Sequence, residues 1–143
     1  MQVLVLNGVN LDVLGRRPAT VYGGISLNEL ETRIYEWASE LGISVRCRQS
    51  NSEGEFIEWI HDAYDNVDAL IVNPGAWSHY SYAIHDALEL YSGPIVEVHL
   101  SNPEERPEEW RHVSVIAALA AKRILGHGPD GYREALEFLG GAT

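Results

Sequence analysis

The chain has 143 residues, 45% of them hydrophobic, which is the size of one domain with one real core. Its formal net charge of −11 argues against nucleic acid and anionic membrane surfaces as partners, although local arginines and helix N-termini could still hold a small anion. The single cysteine, Cys47, excludes an intrachain disulfide and a cysteine zinc cluster; no apolar run approaches the roughly 20 residues of a membrane span, and Met1 leads straight into a strand without a signal sequence, so a soluble cytoplasmic protein is expected.

Val3 to Leu6 is a continuous apolar run and reads as a central strand buried on both faces. Asn7 to Gly24, NGVNLDVLGRRPATVYGG, follows without helical periodicity. A loop of this length is uncommon in a compact domain unless it has a function. Loops at the carboxyl ends of strands are also where open α/β sheets bind ligands. The stretch therefore reads as a catalytic lid, mobile over about residues 15–24.

Ser26 and Glu29 form a capping box that opens a helix. Leu27, Leu30, Ile34, Trp37 or Ala38, and Leu41 carry the helical spacing to a stop at Gly42. Ile43, Val45 and Cys47 alternate with polar residues, giving a second strand. Ser52 and Glu55 make a second capping box, followed by a stripe of Phe56, Ile57, Ile60, Ala63 and Tyr64. Ala69 to Val72 is a third strand, ended by Asn73-Pro74-Gly75. A third helix is expected from about Ser78 to Tyr91, and Ser92-Gly93-Pro94 breaks it. Ile95 to Val98 is a fourth strand. Pro103 to Arg111 is charged and holds two prolines. Val113 to Leu125 is an apolar run that periodicity alone leaves open as helix, strand or both. Tyr132 to Leu139 reads as a short amphipathic helix, with a frayed tail over 140–143.

Strands alternating with helices in one domain imply a parallel sheet with helices on both faces, a flavodoxin-like, doubly wound α/β fold. Its strand ends would gather Asn7, Asn10, Arg17, Tyr22, Asn73, His79, His99 and Ser101 at one edge.

Four constellations there carry chemistry. A tyrosine, with an ordinary pKa of about 10, needs a shift of roughly 3 units to act as a base near neutrality, and an adjacent guanidinium can supply it by favouring the ionised phenol. Tyr22 with Arg17 fits this, although a loop tyrosine stacked on an arginine would look the same. In Glu97-Val98-His99, alternation puts the carboxylate and imidazole on one side of a strand. That suits a general acid, or a surface ion pair. The backbone at Leu100 and Ser101 could hold a substrate carboxylate. Asn73 and His79 flank a turn that presents both at the sheet edge, where Asn73 could also be a strand-end cap.

Other patterns fail. Gly126 to Gly131 matches GxGxxG, but only 12 residues follow, so no βαβ unit or acidic ribose partner can exist, and Pro129 removes an N–H. Ser78, Ser81 and Ser101 lack a nucleophile elbow. The histidines lack metal-site spacing.

The segments NGVNLDVLGRRPATVYG, NPGAWSHYSYAIHDAL, VEVHLSN and GHGPDGY, in this order, resemble the type II 3-dehydroquinate dehydratases over nearly the whole chain. The resemblance implies a cofactor-free, metal-free lyase converting 3-dehydroquinate to 3-dehydroshikimate through an enolate. Tyr22 would be the proton acceptor, Arg17 would keep it ionised, and His99, oriented by Glu97, would be the proton donor. Asn10 would help hold the water that stabilises the enolate. Asn73, His79 and Arg111 would bind hydroxyls, with Arg106 the rival to Arg111. Leu100 and Ser101 would bind the carboxylate. Asp86 would reach a neighbouring subunit's site in a dodecamer built of trimers. The chain departs from the family pattern at Val9, at Arg17-Pro18, at the bulky Trp77 and Tyr80 expected beside the site, at His85 and near Pro107. A Schiff-base route through Lys122, the only lysine, finds no polar pocket in the sequence around it. The rival reading is a flavodoxin-like small-molecule binding domain without catalysis.

Overall fold

The computed structural model describes residues 1–141. Five strands, β1 (Gln2–Asn7), β2 (Ser44–Gln49), β3 (Ala69–Asn73), β4 (Ile95–His99) and β5 (Lys122–Leu125), form one parallel sheet in the order β2-β1-β3-β4-β5. This is the flavodoxin-like order expected, in which the direction of winding reverses between β1 and β3.

Strand alternation decides which helix covers which face. Val3 and Val5 point to one side, into a core with Leu30, Ile34, Ala135 and Leu136. These belong to α2 (Leu27–Leu41) and α5 (Asp130–Gly140). Leu4 and Leu6 point the other way, to Phe56, Ile60, Ile84 and Leu88 of α3 (Glu53–Ala63) and α4 (Tyr82–Glu89). The middle strands β3 and β4 are buried along their whole length, β3 as its apolar run Ala69 to Val72 requires and β4 with Glu97 and His99 among its apolar residues.

Both expected capping residues perform that role. Ser26 Oγ accepts the Glu29 N–H at 3.1 Å, and Ser52 Oγ accepts the Glu55 N–H at 3.2 Å. Gly42 ends α2 at φ 70°, in the left-handed region where glycine is favoured.

Three expectations are corrected, and one question left open is resolved. The long loop is not without helix. Leu11–Arg16 is a 3-10 segment whose Leu11 and Leu14 are buried, and Ala19–Tyr22 is a single α turn, α1. The third predicted helix splits into a 3-10 turn, Gly75–His79, and α4, because Ser81 caps Ile84 N–H and resets the start. The run Val113–Leu125 is neither one helix nor one strand: it holds a 3-10 turn, Ala117–Leu119, and β5. Gly140 belongs to α5 rather than a frayed tail; of that predicted tail, 142–143 lie outside the described residues.

Candidate active site

The pocket lies at the carboxyl ends of β1, β3 and β4, beside the point where the winding reverses. Among the residues lining it are Asn10, Arg17, Tyr22, Asn73, His79, His99, Leu100, Ser101, Arg106 and Arg111.

The long loop is tied down before it reaches Tyr22. Gly8 N–H donates to Asn73 O at 2.8 Å. A Cβ on Gly8 would stand 2.4 Å from Pro74 O, so only glycine permits this approach. Asn10, at φ 70°, gives its N–H to Asn51 Oδ1 at 2.8 Å, and Asn51 in turn donates to Asp12 Oδ2 at 3.0 Å. Pro18 starts the α1 turn, where a missing N–H costs nothing, and Gly23 closes it at φ 92°. Tyr22 thus ends a short helical turn and lines the pocket.

Two guanidinium groups meet that hydroxyl. Arg17 Nη2 donates to it, with Arg17 Cζ 4.1 Å from the ring centroid. Arg106 Nη1 donates to it at 3.0 Å. Arg17 was expected there. Arg106 had been weighed only as a rival to Arg111; the pocket contains both, in different places. Arg111 pairs with Glu108 at 2.8 Å and lies over the Trp110 ring, 4.2 Å from its centroid.

Glu97 and His99 face the same side, as alternation predicts, but they are not a surface pair. Glu97 is fully buried and His99 is 7% exposed. His99 Nε2 stands 2.7 Å from Glu97 Oε2. Ser114 Oγ donates to the same carboxylate oxygen at 2.7 Å, and Arg123 Nε to the other at 2.8 Å. Burial pushes the Glu97 carboxyl up, but the hydrogen bonds from His99, Ser114 and Arg123 outweigh it and hold the group below its ordinary range. A carboxylate held ionised can only accept. It therefore fixes the proton on His99 Nε2 and leaves Nδ1 as the ring atom for the pocket. Sequence reasoning found Glu97 but missed Ser114 and Arg123. Arg123 is the register partner of Glu97 across β4 and β5, a signal that became usable only with β5 located.

His79 is half-buried. Its Nδ1 lies 2.8 Å from Val113 O, and its ring packs edge-on against Trp110 at 5.3 Å. Burial lowers its pKa despite the carbonyl contact, which favours the neutral ring. Nδ1 then carries the hydrogen toward Val113, and Nε2 is an acceptor. Asn73 is buried at the end of β3, and its Oδ1 accepts Gly75 N–H at 3.2 Å. Leu100 and Ser101 turn out of β4 into the pocket wall.

Four residues singled out in the sequence lie outside this chain's pocket. Asp86 is exposed on α4, 2.9 Å from His85 Nδ1, and does not line this chain's pocket. Trp77 is 5% exposed in the core against Phe56, and Tyr80 is 60% exposed; neither lines the site. Lys122 is exposed at the start of β5 near the Phe138 ring, outside the pocket. Among the described residues, no three His, Cys, Asp or Glu side chains gather as a metal ligand set, and no helix is long and apolar enough to cross a membrane.

Fold and pocket together define a flavodoxin-like α/β domain with a phenol, two guanidinium groups and a carboxylate-braced histidine at its strand ends. Comparison with known proteins narrows that class. The sequence profile "Dehydroquinase class II" matches residues 1–140. The 3-dehydroquinate dehydratase of Syntrophotalea carbinolica is 54% identical over 132 residues, covering 92% of this chain and 88% of the relative. That of Deinococcus radiodurans is 49% identical over 138 residues, covering 96% of each. The crystal structure of type II dehydroquinase from Propionibacterium acnes superposes with a TM-score of 0.94 at 46% identity, covering 98% of this chain and 96% of the other. The chain belongs to the class II dehydroquinase family.

Proposed function

We propose that this chain removes water from 3-dehydroquinate to give 3-dehydroshikimate, with Tyr22 as base and His99 as acid. The observation that carries this reading is the convergence of Arg17 and Arg106 on the Tyr22 hydroxyl, in a pocket that also holds His99 braced by Glu97. Two cationic donors on one phenol oxygen are complementary to negative charge at that atom.

The phenolate of Tyr22 takes a proton from the carbon next to the substrate ketone. The electron pair moves onto the ketone oxygen as an enolate, which a water held by Asn10 stabilises. The enolate then collapses and expels the β-hydroxyl, which leaves as water with a proton given by His99 Nδ1, while the Nε2 hydrogen stays bonded to His99 and directed at Glu97. Net transfer of the proton from Tyr22 to His99 through solvent restores the starting state. Asn73, His79 and Arg111 bind the substrate hydroxyls, and the Leu100–Ser101 backbone binds its carboxylate. The loop over residues 15–24 closes on the bound substrate as a lid. In a dodecamer of trimers, exposed Asp86 reaches the site of a neighbouring subunit.

The test is direct. Purified protein, treated with a chelator, is mixed with 3-dehydroquinate, and the ultraviolet rise of the conjugated enone is followed. Wild type should produce it, and Tyr22→Phe should lose turnover far more than binding. Binding without turnover in the wild type would favour the non-catalytic domain instead.

A further inference from the structure

We propose that Tyr132, outside the pocket, is a positioning residue that fixes the side-chain amide of Asn73 for substrate; this rests on the role given to Asn73 above. Asn7, Tyr132 and Asn73 form a polar chain inside the core, each nearly or fully buried. Tyr132 Oη lies 2.6 Å from Asn7 Oδ1 and 2.9 Å from Asn73 Nδ2. Burial pushes the Tyr132 phenol up, so it keeps its proton.

The direction of every bond in this chain is set from the pocket end. Gly75 N–H can only donate, and it lies 3.2 Å from Asn73 Oδ1. Asn73 must therefore turn its N–H2 toward Tyr132. The phenol oxygen accepts from Asn73, and its one hydrogen goes to Asn7 Oδ1. That leaves Asn7 Nδ2 buried without a partner, the only such side-chain atom among the described residues. A buried amide without an acceptor is costly. The opposite polarity would satisfy Asn7 but set the Asn73 amide N–H2 against Gly75 N–H. The arrangement leaves the cost on Asn7, remote from the pocket, and keeps Asn73 in one orientation. Asn73 then has one amide hydrogen and one oxygen lone pair beyond those used by Tyr132 and Gly75. A phenylalanine at position 132 would fill the core but take away the buried acceptor of the Asn73 N–H2, leaving the amide held by Gly75 N–H alone.

Tyr132→Phe keeps the ring and removes the oxygen. It should raise the KM for 3-dehydroquinate about 10-fold, as expected for one lost orienting hydrogen bond, with kcat within about twofold. In an Asn73→Ala background the same change should have no further effect on kcat/KM, because the two residues act through one amide. The Asn73 side-chain amide, identified in nitrogen-15 spectra by its loss in Asn73→Ala, should exchange with solvent at least about 10-fold faster in Tyr132→Phe than in wild type. An unchanged KM, a full additive effect on Asn73→Ala, or an unchanged amide would each overturn the proposal. If Tyr132→Phe does not fold, Asn7→Ala decides: freeing the phenol hydrogen to turn toward Asn73 should raise KM several-fold, and an unchanged KM overturns the proposal. Wild type without turnover would refute the dehydratase reading instead, and the amide exchange, which uses no substrate, separates the two failures.

Discussion

Arg106 and Tyr22 stand 84 residues apart in the chain, and Arg106 Nη1 donates to the Tyr22 hydroxyl at 3.0 Å. Arg17 reaches the same oxygen from five residues away. A charged hydrogen bond contributes about 1.5–3 kcal/mol, so Arg106→Ala and Arg17→Ala should each lower kcat roughly 10–100-fold. Arg106→Lys should recover only part, because an ammonium keeps the charge but loses the planar fork. Steady-state kinetics with melting curves check this. An Arg106→Ala enzyme with wild-type kcat would remove Arg106 from the mechanism.

Glu97 makes stability depend on acid. Its folded pKa lies below its ordinary value of 4.5. The sign follows: a depressed carboxyl contributes stability that is fully present above 4.5 and is lost as pH falls through the lowered folded value. Glu97→Gln should abolish that part of the acid dependence. It should also destabilise the fold at pH 7 by about 3 kcal/mol, since Arg123 and His99 lose the carboxylate they share. Urea midpoints between pH 3 and 7 measure both effects. Parallel curves for wild type and variant would show that Glu97 is not the acid-sensitive group.

The fold was largely legible because its signals are local. Ser26, Ser52 and Gly42 mark helix ends within three or four residues of what they cap. Glu97 and His99 were legible because strand alternation needs only a spacing of two. The rest depends on pairings that leave no local trace. Tyr132 meets Asn7 across 125 residues and Arg106 meets Tyr22 across 84. The run Val113–Leu125 was opaque because only Ile116 and Ile124 in it are buried, one just before the 3-10 turn and one in the short strand, too few and too far apart to set a period. Leu11 and Leu14, three apart, were a readable sign of the turn inside the long loop, masked by the surrounding glycines and charges.

The glycine pattern at 126–131, unsuited to a nucleotide, clamps the end of β4. Gly126 N–H lies 3.1 Å from both His99 O and Ser101 O, and Gly128 N–H lies 3.0 Å from Leu100 O. Gly126 has φ 80°, and a Cβ there would stand 2.9 Å from Asn102 Cβ. Gly126→Ala should therefore cost about 1–3 kcal/mol and raise KM by moving the Leu100–Ser101 turn. Gly42→Ala is the control. It shares a positive φ of 70° but meets nothing within 4 Å, so it should cost about 1 kcal/mol and leave KM unchanged. Melting curves and KM for the pair decide. Equal KM values for the two variants would mean the clamp does not shape the site.

Trp77 supplies the opposite case, a residue near the site in sequence that belongs to the core. It follows Asn73 by four positions and precedes His79 by two, yet its ring packs edge-on against Phe56 with centroids 5.4 Å apart. It stands with Ile60, Ile84 and Leu88 on the α3 and α4 side of the sheet. Trp77→Leu removes ring volume that its neighbours can only partly fill. The lost contacts and the residual cavity should together cost roughly 2–4 kcal/mol of stability. Asn73 and His79 are held by their own bonds, to Tyr132 and to Val113 O, and neither bond involves the indole. KM should therefore stay within about twofold of wild type while the urea midpoint falls. A large rise in KM with an unchanged midpoint would place Trp77 in the substrate pocket after all.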